Sequence, residues 1–68
     1  MKLSARNQLP GVVKSVTLGN VMAEVTVDVG GNEVVAAITR NSAENLQLQP
    51  GQHVTVIIKS TEVMLATD

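Results

Sequence analysis

Three short stretches hold most of the hydrogen-bond donors that could act on a ligand. Ser4-Ala5-Arg6-Asn7-Gln8 sets a hydroxyl, a guanidinium and two amides side by side and runs into Leu9-Pro10-Gly11. Thr39-Arg40-Asn41-Ser42 follows an apolar alternating run, and Lys59-Ser60-Thr61 joins a cation to two hydroxyls. Donors gathered without acceptors suit an anion. The backbone N–H groups and positive dipole at a helix start add to this where a strand runs into a helix. Each stretch also has an ordinary explanation in capping and turn chemistry. The N-terminal run by itself fits a solvated tail, a nucleic-acid arm or half of an anion site.

Catalysis has little support. His53 is the single imidazole and stands in a strand-like segment with no Ser–Asp pairing beside it. Glu24, Asp28, Glu33, Glu44 and Glu62 fall on polar faces and turns, where solvation accounts for them. Gly30-Gly31 has neither P-loop nor dinucleotide-binding spacing.

The elements that must position these stretches are mostly strands. Val12–Leu18 is rich in β-branched residues and stops at Gly19-Asn20. From Val21 to Val29 polar and apolar residues alternate, with Val21, Ala23, Val25, Val27 and Val29 on one face. Gly30-Gly31-Asn32 is a hairpin turn that returns into a third strand, Glu33–Thr39. In residues 40–48, Asn41 or Ser42 can cap one or two helical turns, with Glu44 completing a capping box from Asn41 and Pro50-Gly51 ending them. Gln52–Lys59 is a fourth strand, with Val54, Val56 and Ile58 on one face and His53, Thr55, Ile57 and Lys59 on the other, and Val63–Ala66 a fifth. Three strands, a short helix and two strands predict an all-β fold, a five-stranded Greek-key barrel of the OB type with its helix between strands 3 and 4. An SH3-like barrel is the alternative. Pro10-Gly11 reads as a turn that aims the N-terminal run out of the barrel.

Size limits what this fold can do alone. A chain of 68 residues is a single domain, residues 1–68. A domain of that length keeps roughly 40% of its unfolded surface in contact with water. There is no Phe, Tyr or Trp to enlarge the core, and no cysteine for a disulfide or a thiolate metal site. Self-association is the remaining source of buried area. The net charge of −1 and the missing aromatics argue against a nucleic-acid-binding OB module. No apolar run approaches the length of a membrane span and no signal-peptide core opens the chain, which predicts a cytoplasmic protein.

Ser4-Ala5-Arg6-Asn7-Gln8-Leu9-Pro10-Gly11 resembles the opening motif of the Mop family, the molbindin or molybdopterin-binding-like proteins. The likeness continues through Gly19–Val25, through Ile38-Thr39 with Ser42–Leu46, and through Val56–Ala66, so it covers essentially the whole chain. It implies an OB-type barrel that binds molybdate, and also tungstate, and is not an enzyme. The family occurs as free-standing cytoplasmic proteins and as domains fused to molybdate-responsive regulators and importer ATPases. A start at Met1 without a helix-turn-helix or P-loop favours the free-standing kind, acting in molybdenum storage or homeostasis. The resemblance further implies a homohexamer, a trimer of dimers, with oxyanion sites between subunits.

Carried over by position, the resemblance assigns oxyanion contacts to Ser4, Ala5 and Arg6, to Thr39 and Ser42, and to Lys59 and Ser60. A second type of site near a threefold axis is assigned to Gly19, Asn20 and Val21, with His53. None of these would ligate the metal directly; all would donate to its oxygens. Molybdate is a tetrahedral dianion without protons at neutral pH, so an all-donor site suits it. Hydrogen phosphate brings a proton that such a site leaves unpaired, a penalty of about 1–3 kcal/mol.

Overall fold

The computed structural model describes residues 1–68. Its strands are β1 (Asn7–Leu18), β2 (Met22–Val29), β3 (Asn32–Thr39) and β4 (His53–Ile58). A six-residue helix, α1 (Arg40–Asn45), joins β3 to β4, and a single 3-10 turn covers Ser60–Glu62. The sheet is antiparallel with strand order β3-β2-β1-β4, so β3 and β4 are free edges.

The alternation read in the sequence sets the burial. Ala23, Val25 and Val27 of β2 are buried, while Met22 and Glu24 are exposed and Thr26 and Asp28 half-buried. Val13 of β1 completes the centre of the core, against which Ala36, Ile38, Val54 and Val56 pack. Only five residues are buried, none of them polar, which is the small aromatic-free core that the composition implied.

β1 is the strand that holds the two halves together. Its C-terminal half, Val12–Leu18, pairs with β2, and its N-terminal half, Asn7–Val12, pairs with β4. The register slips between Val13 and Ser15, leaving Lys14 as an extra residue. A bulge of this kind bends a strand and increases its twist.

The structure corrects four expectations. Pro10 and Gly11 do not form a turn; they lie inside β1, opposite Thr55 and Val54. Over Asn7–Gly11 the β2 side of the strand is unpaired, so the missing N–H of Pro10 disrupts no ladder on that side. Gly11 serves close approach instead: a Cβ there would lie 2.7 Å from Val27 Cγ1 and 2.8 Å from the Asp28 carbonyl oxygen.

The helix cap is Thr39, whose Oγ1 accepts from the Ser42 N–H at 3.1 Å, two residues earlier than the Asn41 capping box. The helix also ends before Pro50-Gly51. Gln47 takes a left-handed φ of 53°, its N–H donates to the Glu44 carbonyl, and the Leu48 N–H donates to the Ala43 carbonyl. Those two bonds make a Schellman ending.

The expected fifth strand is absent. Val63 has extended dihedrals, but Val63–Ala66 pairs with no edge, and Met64 and Leu65 are 91% and 92% exposed. Val63 favours an extended backbone; a strand also needs a partner for its N–H and C=O groups. The closed five-stranded barrel is therefore an open four-stranded sheet in the single chain.

Candidate functional site

The donor-rich stretches sort into two poles at opposite ends of β1. At the first pole, Asn7 at the start of β1 stands opposite Ile58 at the end of β4. One residue beyond that pair on each strand are Arg6 and Lys59. Ser4 and Ala5 precede Arg6, and Ser60 follows Lys59 into the 3-10 turn, whose N-cap is Lys59. Two stretches more than fifty residues apart in sequence thus meet through antiparallel pairing.

The charge at this pole is uncompensated. Two of the five Lys and Arg residues pair within the chain, Lys14 with Glu33 and Arg40 with Glu44. Arg6 and Lys59 pair with no carboxylate, and both side chains are exposed. The amides of the N-terminal run have a different task from the one their composition suggests. The Asn7 side chain donates to the Ile58 carbonyl at 3.1 Å, and the Gln8 side chain donates to the Ala5 carbonyl at 2.7 Å. They tie backbone in place, so the donors left for a ligand are Ser4, Arg6, Lys59, Ser60 and free backbone N–H groups.

At the second pole, the β1–β2 turn meets the start of α1. The Arg40 N–H donates to the Val21 carbonyl at 2.8 Å, and Arg40 Nη1 donates to the Gly19 carbonyl at 3.2 Å. Asn20, Val21, Thr39, Arg40 and Asn41 line an open cavity of about 330 Å³ there. Thr39 Oγ1 and Ser42 Oγ are 2.8 Å apart, so one of their two protons is spent between them and one remains for a ligand.

Within one chain Thr39 and Ser42 therefore stand with Gly19, Asn20 and Val21, at the opposite end of β1 from Ser4, Arg6, Lys59 and Ser60. The eleven steps of β1 separate the poles by up to ~36 Å at about 3.3 Å per residue. His53 joins neither group within one chain. It opens β4 opposite Val12, near the middle of β1. Arg40 and Asn41 line the cavity but stood outside the expected contact set; the signal that would have found them is their place between a strand end and a capped helix. No group of three or more His, Asp or Glu side chains is placed to hold a metal ion.

A third feature is apolar. Between the free edges of β3 and β4 lies an open groove of about 230 Å³, lined by Ala36, Ile38, Leu46, Leu48, Val54 and Val56 among others. No helix is long and apolar enough to cross a membrane.

Residues 3–65 match the TOBE domain model. Molybdenum-pterin-binding protein 3 of Clostridium pasteurianum is 46% identical over 66 residues, covering 96% of this chain and 97% of that protein. The molybdenum transport protein ModE of Azotobacter vinelandii is 46% identical over 69 residues, but the chain spans only 26% of its length. Among solved structures, a molybdate-binding protein of Sporomusa ovata superimposes with a TM-score of 0.94 at 45% identity, covering 98% of this chain and 100% of that one. The cytoplasmic molybdate-binding protein ModG superimposes at 0.83 with 41% identity, covering 88% of this chain and 43% of ModG.

Proposed function

We propose, since the chain belongs to the TOBE-domain family, in its molybdenum-pterin-binding or Mop branch, that it binds molybdate. The observation that carries this reading is the pair of uncompensated cations, Arg6 and Lys59, on adjacent strand ends with Ser4 and Ser60 beside them. Two cations and neutral donors match a dianion without burying excess charge. No carboxylate is paired with these cations, so the proton of hydrogen phosphate could be taken only by a serine oxygen, which then donates less well to the anion. Tungstate, of the same charge and shape, binds alongside molybdate.

Half of such a site is open to water in one chain. The other half comes from a neighbouring subunit in a homohexamer built as a trimer of dimers. The exposed Val63, Met64 and Leu65 and the apolar groove between β3 and β4 support self-association. Thr39 and Ser42 of a neighbouring subunit complete the site at Ser4, Ala5, Arg6, Lys59 and Ser60, and Gly19, Asn20 and Val21, at the polar cavity, form the second type of site together with His53 of another subunit. The protein acts as a single domain over residues 1–68, is cytoplasmic, stores or buffers the oxyanion and catalyses no reaction. A nucleic-acid role has no feature to favour it: the chain has no aromatic residue for bases to stack on.

Isothermal titration with molybdate, tungstate, sulfate and phosphate, alongside sedimentation, tests the proposal. The expected result is micromolar or tighter binding of molybdate and tungstate, much weaker binding of phosphate, and a mass above that of the monomer. No heat with any oxyanion would end it.

A further inference from the structure

We infer that Asn7 is a positioning residue for the oxyanion pole: its side-chain amide holds the end of β4 so that Lys59 and Ser60 face Ser4 and Arg6 before an anion arrives. The inference rests on the oxyanion reading of that pole. Arg6 and Lys59 are like charges on adjacent strand ends, and like charges at such positions push the strands apart. In the absence of an anion, neither has a carboxylate to offset the repulsion. The pole is also where the pairing of β1 with β4 stops, since Asn7 and Ile58 are its last partners.

The Asn7 amide sits at this boundary. It donates to the Ile58 carbonyl at 3.1 Å, and its side chain is half-buried while Arg6 and Gln8 on either side are exposed. Partial burial keeps water from competing fully for that carbonyl. The next residue, Lys59, leaves the strand with φ −60° and ψ 136° and caps the 3-10 turn that carries Ser60. Fixing the Ile58 carbonyl therefore fixes the point from which both Lys59 and Ser60 depart. Gln8 does the same for the opposite side through the Ala5 carbonyl, at 2.7 Å. Donors held in place before binding lose less freedom on binding, which raises affinity without any new contact to the ligand.

The test is molybdate titration of the full chain carrying Asn7→Leu, Asn7→Ser or Asn7→Gln, with a double-mutant cycle against Lys59→Ala. Leu and Ser both remove the donor that reaches Ile58, and Ser keeps the test open if Leu alters packing. The expected result is at least tenfold weaker molybdate binding in both, with most of the affinity recovered in Asn7→Gln, which keeps an amide. In the cycle, the loss from Asn7→Ser should shrink severalfold once Lys59 is Ala, because Asn7 acts through that residue. Wild-type affinity in both Asn7→Leu and Asn7→Ser, or fully additive losses with Lys59→Ala, overturns the positioning role while leaving the oxyanion reading intact. A wild-type chain that binds no molybdate overturns both.

Discussion

Arg40 Nη1 donates to the Gly19 carbonyl at 3.2 Å, across 21 residues of sequence, while the Arg40 N–H donates to the Val21 carbonyl. One residue thus fastens the β1–β2 turn to the start of α1 and forms a wall of the polar cavity. The guanidinium is partly exposed and also approaches Glu44 at 3.6 Å, so its bond to Gly19 adds less than about 1 kcal/mol. Arg40→Ala should leave urea stability almost unchanged but speed amide exchange in the Gly19–Met22 turn. Unchanged exchange there would show that the backbone bond to Val21 holds the turn by itself.

Arg6 and Lys14 separate binding from solvation. Lys14 is the bulged residue of β1 and forms an exposed ion pair with Glu33. Arg6 has no such partner. Arg6→Ala should weaken molybdate binding at least tenfold, about 1.4 kcal/mol, whereas Lys14→Ala should leave the titration curve within twofold of wild type. Equal losses would place the site elsewhere.

The same ion pair sets a pH dependence at the alkaline end. The hydrogen bond that Lys14 donates to Glu33, then the Glu33 charge, and the nearby Asp28 carboxylate raise the Lys14 ammonium above its usual 10.5. A raised folded value means the pair's contribution is fully present below the unfolded value and is lost as pH rises through the folded one. Thermal melts should therefore show an extra decline above pH about 10.5 that Lys14→Met lacks. Because the pair is exposed, salt should flatten the difference. Parallel melting curves for the two proteins across that range would remove the pair from the account.

Gln47 offers a stabilising substitution. It occupies the left-handed position of the helix ending with φ 53°, a conformation that costs a residue with a Cβ about 1 kcal/mol relative to glycine. Its side chain is exposed and enters no hydrogen bond that would be lost. Gln47→Gly should raise stability by about 0.5–1 kcal/mol in chemical denaturation, and Gln47→Val should lower it. A destabilised Gln47→Gly would mean that the unfolded chain's gain in freedom outweighs the relief of strain.

Much of this protein is written locally and was legible there. The alternation of Val21–Val29 depends only on which side chains avoid water, and Ala23, Val25 and Val27 are buried as it requires. The hairpin at Gly30-Gly31 follows from residues that accept positive φ, and both glycines adopt it, at 57° and 91°. The short helix between the third and fourth strands was legible too, although not its cap: Thr39, Asn41 and Ser42 are all competent, and the choice fell on Thr39 because β3 stays extended until there.

What the tertiary structure decided is partnership. Pro10-Gly11 carries a turn signal, yet β4 lies alongside and draws both residues into β1. Val63–Ala66 carries a strand signal, yet no edge lies alongside and no strand forms. The donor stretches follow the same rule. Their residue types were plain in the sequence, but which ones meet depended on antiparallel register, which sets Arg6 beside Lys59 and leaves Thr39 and Ser42 with the Gly19–Val21 turn. Residue type determines whether a group donates, accepts or avoids water. Only the folded chain determines what stands opposite it, because pairing joins positions whose separation in sequence carries no local signal.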